Sequence, residues 1–268
     1  MTRHAIALAA CLLCASAHAQ DPTPPAAPEA PAAPAAPAAA ERPSIAEVSR
    51  KIDNLYRSDR SRGRMTMSIV TPDYERTLTM EIATRGMDDT LMRIESPQKE
   101  RGVATLKKGN EMWNYLPKIK KTVRVPPSMM MGSWMGSDLT NDDVVRASSW
   151  EEDYTAHYTD DGAAPDEWCI EYAPKPSAAV TWSRVVACVE RATLLPRRQV
   201  FYDEKARPAR IMRFTDIKEM DGRTFPTVMT VEPQLKSGHR TTIRYDEIDF
   251  DADVPDNTFS LNTLRRGL

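Results

Sequence analysis

The sequence lacks the charge excess that nucleic acid requires. Its 36 Lys and Arg stand against 38 Asp and Glu, a formal net charge of −2 over 268 residues. With no basic field to hold a polyanion, a nucleic-acid partner is excluded. It also lacks any run of about 18 apolar residues, so the mature chain carries no membrane-spanning helix. Catalytic signatures are missing as well: there is no H-E-x-x-H, G-x-S-x-G, phosphate loop or dinucleotide fingerprint. His157 and His239 stand alone, and Asp138 to Asp143 has neither the spacing nor the glycine of a calcium loop. These absences point away from an enzyme, a metal site and a cofactor. The acidic clusters Asp142-Asp143, Asp160-Asp161 and Glu151-Glu152-Asp153 read as solvated helix-start or turn residues. Phenylalanine is scarce too, 5 against 14 methionines.

Residues 1–19 read as a secretory signal peptide: Arg3 and His4, an apolar stretch from Ala5 to Ala17, and an Ala17-His18-Ala19 cleavage site. A rival lipoprotein box, Leu8-Ala9-Ala10-Cys11, has only about six apolar residues ahead of it, too few for export, so anchoring at Cys11 is set aside. The expected location is the periplasm. Loss of Arg3 leaves 35 basic against 38 acidic residues, a mature charge of −3. The mature chain then keeps Cys169 and Cys188, and an oxidising compartment favours one disulfide across a hairpin of their two apolar runs. Two buried free thiols are the alternative. Residues 20–43 are almost all Ala, Pro and Glu and cannot bury a core, so they read as an extended linker. It is either a spacer or a leader with no role.

Order is expected from residue 44 to residue 268. Ser44-x-x-Glu47 is a capping box, and Ile45, Val48, Ile52, Leu55 and Tyr56 share one face, which predicts a helix from Ile45 to about Arg57. Beyond Arg64 the period becomes two. About a dozen short runs follow, from Met65–Ile69 to Thr241–Phe250, separated by tight turns. They predict a mainly β (α+β) fold built on one curved antiparallel sheet, apolar on one face and wet on the other. Only one further helix is expected, near Asp138–Arg146, capped by Ser137 or by Thr140 with Asp143. Two helices cannot fill such a sheet, so an apolar cavity is expected.

The most unusual segment is Pro126 to Asp138, with Met129, Met130, Met131, Trp134 and Met135 interrupted by glycine. Methionine recurs at surfaces that adapt to variable apolar partners. The segment is either a mobile lid over the cavity or a core loop with methionine as gap filler. Lys107-Lys108, Lys118, Lys120-Lys121 and Arg124 form a basic region that either docks an anionic headgroup or partner, or is a solvated strand face.

Met130-Met131-Gly132-Ser133-Trp134-Met135-Gly136-Ser137-Asp138-Leu139-Thr140-Asn141-Asp142-Asp143 resembles the outer-membrane lipoprotein-sorting protein (LolA-like) family. So do Phe201-Tyr202-Asp203, Phe214-Thr215-Asp216-Ile217 with Asp221-Gly222-Arg223, and the close at Phe259-Ser260 and Asn262-Thr263-Leu264. The resemblance, to a divergent branch, covers about residues 44–268. It implies a half-open β-barrel of the LolA/LolB kind with lid helices across its mouth and a cavity for acyl chains. It also implies a periplasmic carrier of lipid or acylated cargo with transient membrane contact, paired with an inner-membrane exporter (RND/MMPL or ABC type). No lipid-contacting arginine of the family can be carried over. The expected lipid-contacting residues are Trp113, Tyr115, Met129, Met130, Met131, Trp134 and Met135. A sensor or scaffold of the same fold that binds an envelope protein is the alternative.

Overall fold

The computed structural model describes residues 42–145, 150–176, 178 and 182–267. The segments expected to be a signal peptide (1–19) and, for the most part, an Ala/Pro-rich linker (20–43) lie outside the described residues. Residues 43–267 then form one unit, in the order α1 (Ile45–Asp53), β1 (Ser61–Val70), β2 (Glu75–Arg85), β3 (Asp89–Ser96), β4 (Ala104–Lys108), β5 (Glu111–Leu116) and β6 (Lys121–Arg124). Two short helices, α2 (Asn141–Val145) and α3 (Trp150–Asp153), precede β7 (Tyr154–Thr159), β8 (Glu167–Pro174), β9 (Arg184–Glu190) and β10 (Pro196–Tyr202). The chain closes with β11 (Pro208–Met220), β12 (Arg223–Pro233), β13 (Arg240–Asp249) and α4 (Leu261–Arg266). No described helix is long and apolar enough to cross a membrane.

All thirteen strands join one antiparallel sheet in the order β6-β5-β4-β3-β2-β1-β13-β12-β11-β10-β9-β8-β7. Each half is a simple meander, and β1 and β13 join them in the middle. The edge strands β6 and β7 are therefore consecutive in sequence but at opposite ends of the sheet, which stays open. The connection from 125 to 153 has to cross the whole sheet.

Period-two patterning makes β1 a half-buried strand, with Met65, Met67 and Ile69 inward. These join Leu78, Met80, Ile94, Met112, Ile170, Tyr172 and Val231 in the main core on the inner face. Helix α1 lies on this face through Val48, with Ile45 and Ile52 beside it. Its start is as expected, since Ser44 Oγ accepts from Glu47 N at 3.2 Å. It stops at Asp53 rather than near Arg57, because Leu55 and Tyr56 turn away into a separate cluster with Phe225 and Phe250.

Two expectations are corrected. The outer face is not wet throughout. Ala83, Leu91, Ala104 and Leu106 of β2–β4 pack there against Val254, Phe259 and Leu264. Helix α4, unforeseen, covers them, capped by Ser260 Oγ accepting from Thr263 N at 3.2 Å. The inner face, in turn, is filled rather than hollow: Met67, Leu78, Met80 and Met112 are fully buried beneath Val48, Trp134 and Leu139.

Gly63 sits beside a register shift between β1 and β13, where a Cβ would lie 2.6 Å from the carbonyl oxygen of Glu247. Backbone, not a flexible side chain, blocks that space. Gly63→Ala is expected to cost about 1–3 kcal/mol, the range for overpacking, read as a lowered midpoint in urea with unchanged slope.

Candidate functional site

The crossing segment folds on itself before it reaches α2. Ser133 pairs with Thr140, Trp134 N donates to Leu139 O at 2.7 Å, and Asn141 N donates to Gly132 O at 2.9 Å. The side-chain amide of Asn141 adds bonds to the carbonyls of Met129 (3.0 Å) and Gly132 (3.2 Å). The tip turns through left-handed backbone at Met135 (φ 53°) and Gly136 (φ 71°), a conformation open to glycine at little cost. From this compact loop Trp134 and Leu139 plunge into the inner core. Trp134 is 3% exposed, and its indole N–H donates to Thr105 Oγ1 at 3.2 Å, satisfying the one polar atom it buries.

The loop is held to the sheet by polar contacts on both halves. From β2, Arg76 donates to the carbonyl of Met135, while Tyr74 Oη donates to that of Gly136 at 3.2 Å. From β13, Thr241 accepts from Asp138 N (3.0 Å) and donates to its carboxylate (2.8 Å), with His239 Nδ1 3.5 Å from the other oxygen. From β11, the guanidinium of Arg210 grips Asp143 at 2.6 and 2.9 Å. Arg210 is 5% exposed and lies over the rings of Phe201 (4.2 Å) and Trp182 (4.7 Å).

Asp143 is thus a half-buried, fully paired anchor, not a solvated turn residue as its sequence context implied. Thr140 completes the anchor: its N–H and hydroxyl both donate to Asp143 Oδ2 at 2.8 Å, and its oxygen accepts from Asp143 N at 3.0 Å. Of the two caps the sequence allows for α2, this is the one used. Burial works against the Asp143 carboxylate, but the charge and hydrogen bonds of Arg210 and the bonds from Thr140 outweigh it, so its pKa lies below the usual range.

The expected contact residues do not form one group. Trp134 is buried, Met130 and Met135 are half-buried against the inner core, and Met129 and Met131 are 58% and 47% exposed. Trp113 and Tyr115 are on the opposite face, packed with the Leu91, Leu106 and Leu264 cluster under α4. The reason is parity on β5, where Met112 points into the inner core and Trp113 outward. Sequence reasoning missed Arg76 and Arg210, which occupy strand positions indistinguishable from solvent-facing arginines. Cys169 and Cys188 are directly opposed on β8 and β9 and are bonded, with S–S 2.03 Å, so the disulfide expectation is met.

A family model described as an uncharacterized protein matches residues 86–266. Among solved structures, a DUF1329 family protein from Desulfovibrio piger superposes with a TM-score of 0.72 at 25% identity, over 82% of this chain and 97% of that one. A putative outer membrane lipoprotein-sorting protein domain from Vibrio parahaemolyticus gives 0.71 at 20% identity, over 82% and 98%. A LolA superfamily protein from Nitrosomonas europaea gives 0.66 at 22% identity, over 81% and 97%. No curated protein matches the chain. The open thirteen-stranded sheet with few helices is the fold these structures share.

Proposed function

We propose that this chain, which belongs to the family whose model matches residues 86–266 and shares the fold of LolA-superfamily structures, is a periplasmic carrier on a divergent LolA-like branch. It takes a lipid or lipidated protein beneath the crossing segment and moves it between an inner-membrane exporter of RND/MMPL or ABC type and the outer membrane. The observation that carries this reading is the make-up of the cover. Among the described residues, the inner face is closed, apart from α1, chiefly by one connection whose deep apolar side chains are Val125, Trp134 and Leu139, with Met130, Met135, Val144 and Trp150 half-buried beside them, and which is also pinned by hydrogen bonds and ion pairs. Apart from the Arg210–Asp143 pair, such pins exchange with water at modest net cost when the segment lifts.

What lies beneath suits hydrocarbon. Met65, Met67, Met80, Met92 and Met112 line the floor, unbranched and able to repack around a chain that replaces Trp134 and Leu139. Burial of one CH₂ gains about 0.8 kcal/mol, so a sixteen-carbon chain gains roughly 12 kcal/mol before ordering and before loss of the cover's own contacts. That subtraction keeps the net affinity moderate, as release requires.

Native mass spectrometry of protein purified from its own periplasm, with lipid extraction, is expected to show an acylated species of defined mass. A protein always empty of lipid but recovered with a stable protein partner would instead establish the scaffold alternative. Replacing the exposed Met129 and Met131 with serine is expected to slow lipid uptake from vesicles several-fold with an unchanged melting temperature, because those side chains bury little in the closed form.

A further inference from the structure

At the α1–β1 end of the inner face the methionine floor gives way to a polar row. Ser61, Thr84, Thr90 and Lys107 are consecutive cross-strand partners on β1 to β4, and all four are buried. Their parity matches that of Met67, Met80, Met92 and Met112, so the row continues the methionine floor of the inner face. Arg57, on the loop after α1, closes over it and donates to Thr90 Oγ1 at 3.2 Å. Ser61 and Thr84 share a hydroxyl bond of 2.6 Å.

The row carries two cations and no carboxylate. Lys107 is 0% exposed, and its ammonium donates to the carbonyl of Met87. Asp89, the nearest acid in sequence, faces the other way and is taken by Arg85 at 2.8 Å. Asp88 is exposed in the turn. Like charges buried beside one another are unfavourable unless an anion joins them. Outside, the same loop borders a cleft of about 500 Å³ lined by Arg50, Lys51, Asn54, Leu55, Leu195, Arg223 and Thr224, again without a carboxylate in its lining. Arg223 reaches from that cleft to the carbonyl of Arg57 at 2.7 Å, and Arg50 has Glu151 at 4.0 Å.

We propose that Arg57 and Lys107, with the hydroxyls of Ser61, Thr84 and Thr90, form an internal site for the phosphate of a glycerophospholipid headgroup, at the end of the inner-face floor whose methionines take the acyl chains when the crossing segment lifts. This rests on the carrier reading and adds to it a chemical class of cargo. Free phosphate presents the same chemistry to the site. The ammonium of Lys107 is held at about 8 by burial and by Arg57, against the pull of Asp88 and Asp89, so its charge is available below that pH.

The test uses the full chain and three probes: phosphatidylglycerol, diacylglycerol with the same chains, and inorganic phosphate. Wild type is expected to bind phosphatidylglycerol at least about tenfold more tightly than diacylglycerol, a preference that declines as pH rises through about 8. Lys107→Met and Arg57→Gln should each remove most of that preference and leave diacylglycerol affinity unchanged, while Lys107→Arg restores it. Lys107→Met loses a buried charge and is expected to melt no lower than wild type, so failure to fold is not the default explanation of a loss. Equal affinity for the two lipids in wild type and variants overturns the headgroup site and leaves the carrier reading standing. Phosphate binding that Lys107→Met abolishes, without lipid binding, keeps the anion site, assigns it to free phosphate and overturns the carrier reading. No binding of any probe overturns both.

Discussion

Arg210→Ala is expected to lower stability by about 3–5 kcal/mol, the cost of leaving a buried charge without its partner. For a domain of this size that is a fall in melting temperature of roughly 10 °C. The cost arises on both sides of the pair. Asp143 loses two charge-assisted bonds at 2.6 and 2.9 Å, and Phe201 and Trp182 lose the guanidinium over their rings. Removing both charges with packed replacements, Arg210→Met with Asp143→Leu, should recover most of the loss, since the desolvation of two ions disappears with their attraction. The pH dependence has a definite sign. The Asp143 pKa is depressed in the folded chain, so its contribution is full above the ordinary carboxylate pKa of about 3.9 and is lost as pH falls through the lower folded value. Wild type therefore loses acid stability that the double variant never had. Equal acid midpoints in urea titrations of the two proteins would refute the anchoring role. Amide exchange at 139–145 should accelerate in Arg210→Ala before the core strands respond, because this pair ties the crossing segment to β11.

The strand series was legible because one inward residue in two is a pattern that survives in sequence, from Met65, Met67 and Ile69 onward. The outer cluster escaped because it breaks that pattern: Asp89 to Met92 and Ala104 to Leu106 are buried on both faces, and unbroken burial carries no parity. Only the sheet order places Leu91 and Leu106 under α4. The same strands hide Lys107, which in sequence belongs with Lys108, Lys118, Lys120 and Lys121 and in space is set apart from its neighbour Lys108 by one step of pleat. The methionine segment was legible by composition. Its anchors were not, because Arg210 and Asp143 are 67 positions apart and an arginine in a strand looks the same whether its partner is water or a carboxylate of another element. What the sequence could not convey at all is that β6 and β7 lie at opposite edges, which turns a loop into a cover.

Trp134→Ala should separate the two readings of that cover most sharply. Truncating a tryptophan this buried costs about 3–5 kcal/mol, measured as a lower urea midpoint. Thr105 also loses the indole N–H that meets it at 3.2 Å. If the segment were only a surface that touches cargo, the same change would weaken lipid binding. In the closed protein, however, Trp134 occupies the inner face itself, so on the carrier reading it would compete with cargo for the methionine floor. A change that destabilises the closed form and leaves the loaded form nearly untouched shifts the population toward loading. The expected result is thus tighter apparent lipid binding with lower stability, up to about a hundredfold where the open form retains its fold. Met129→Ser with Met131→Ser should do the opposite, slowing uptake with no change in the urea midpoint, because those exposed side chains would, on the carrier reading, meet cargo without occupying its place. Opposite signs from neighbouring residues of one loop are what a displaceable plug requires, and a core loop with methionine as gap filler offers no reason for them. Weaker lipid binding by Trp134→Ala, in protein shown to be folded at the temperature of the assay, would count against the plug.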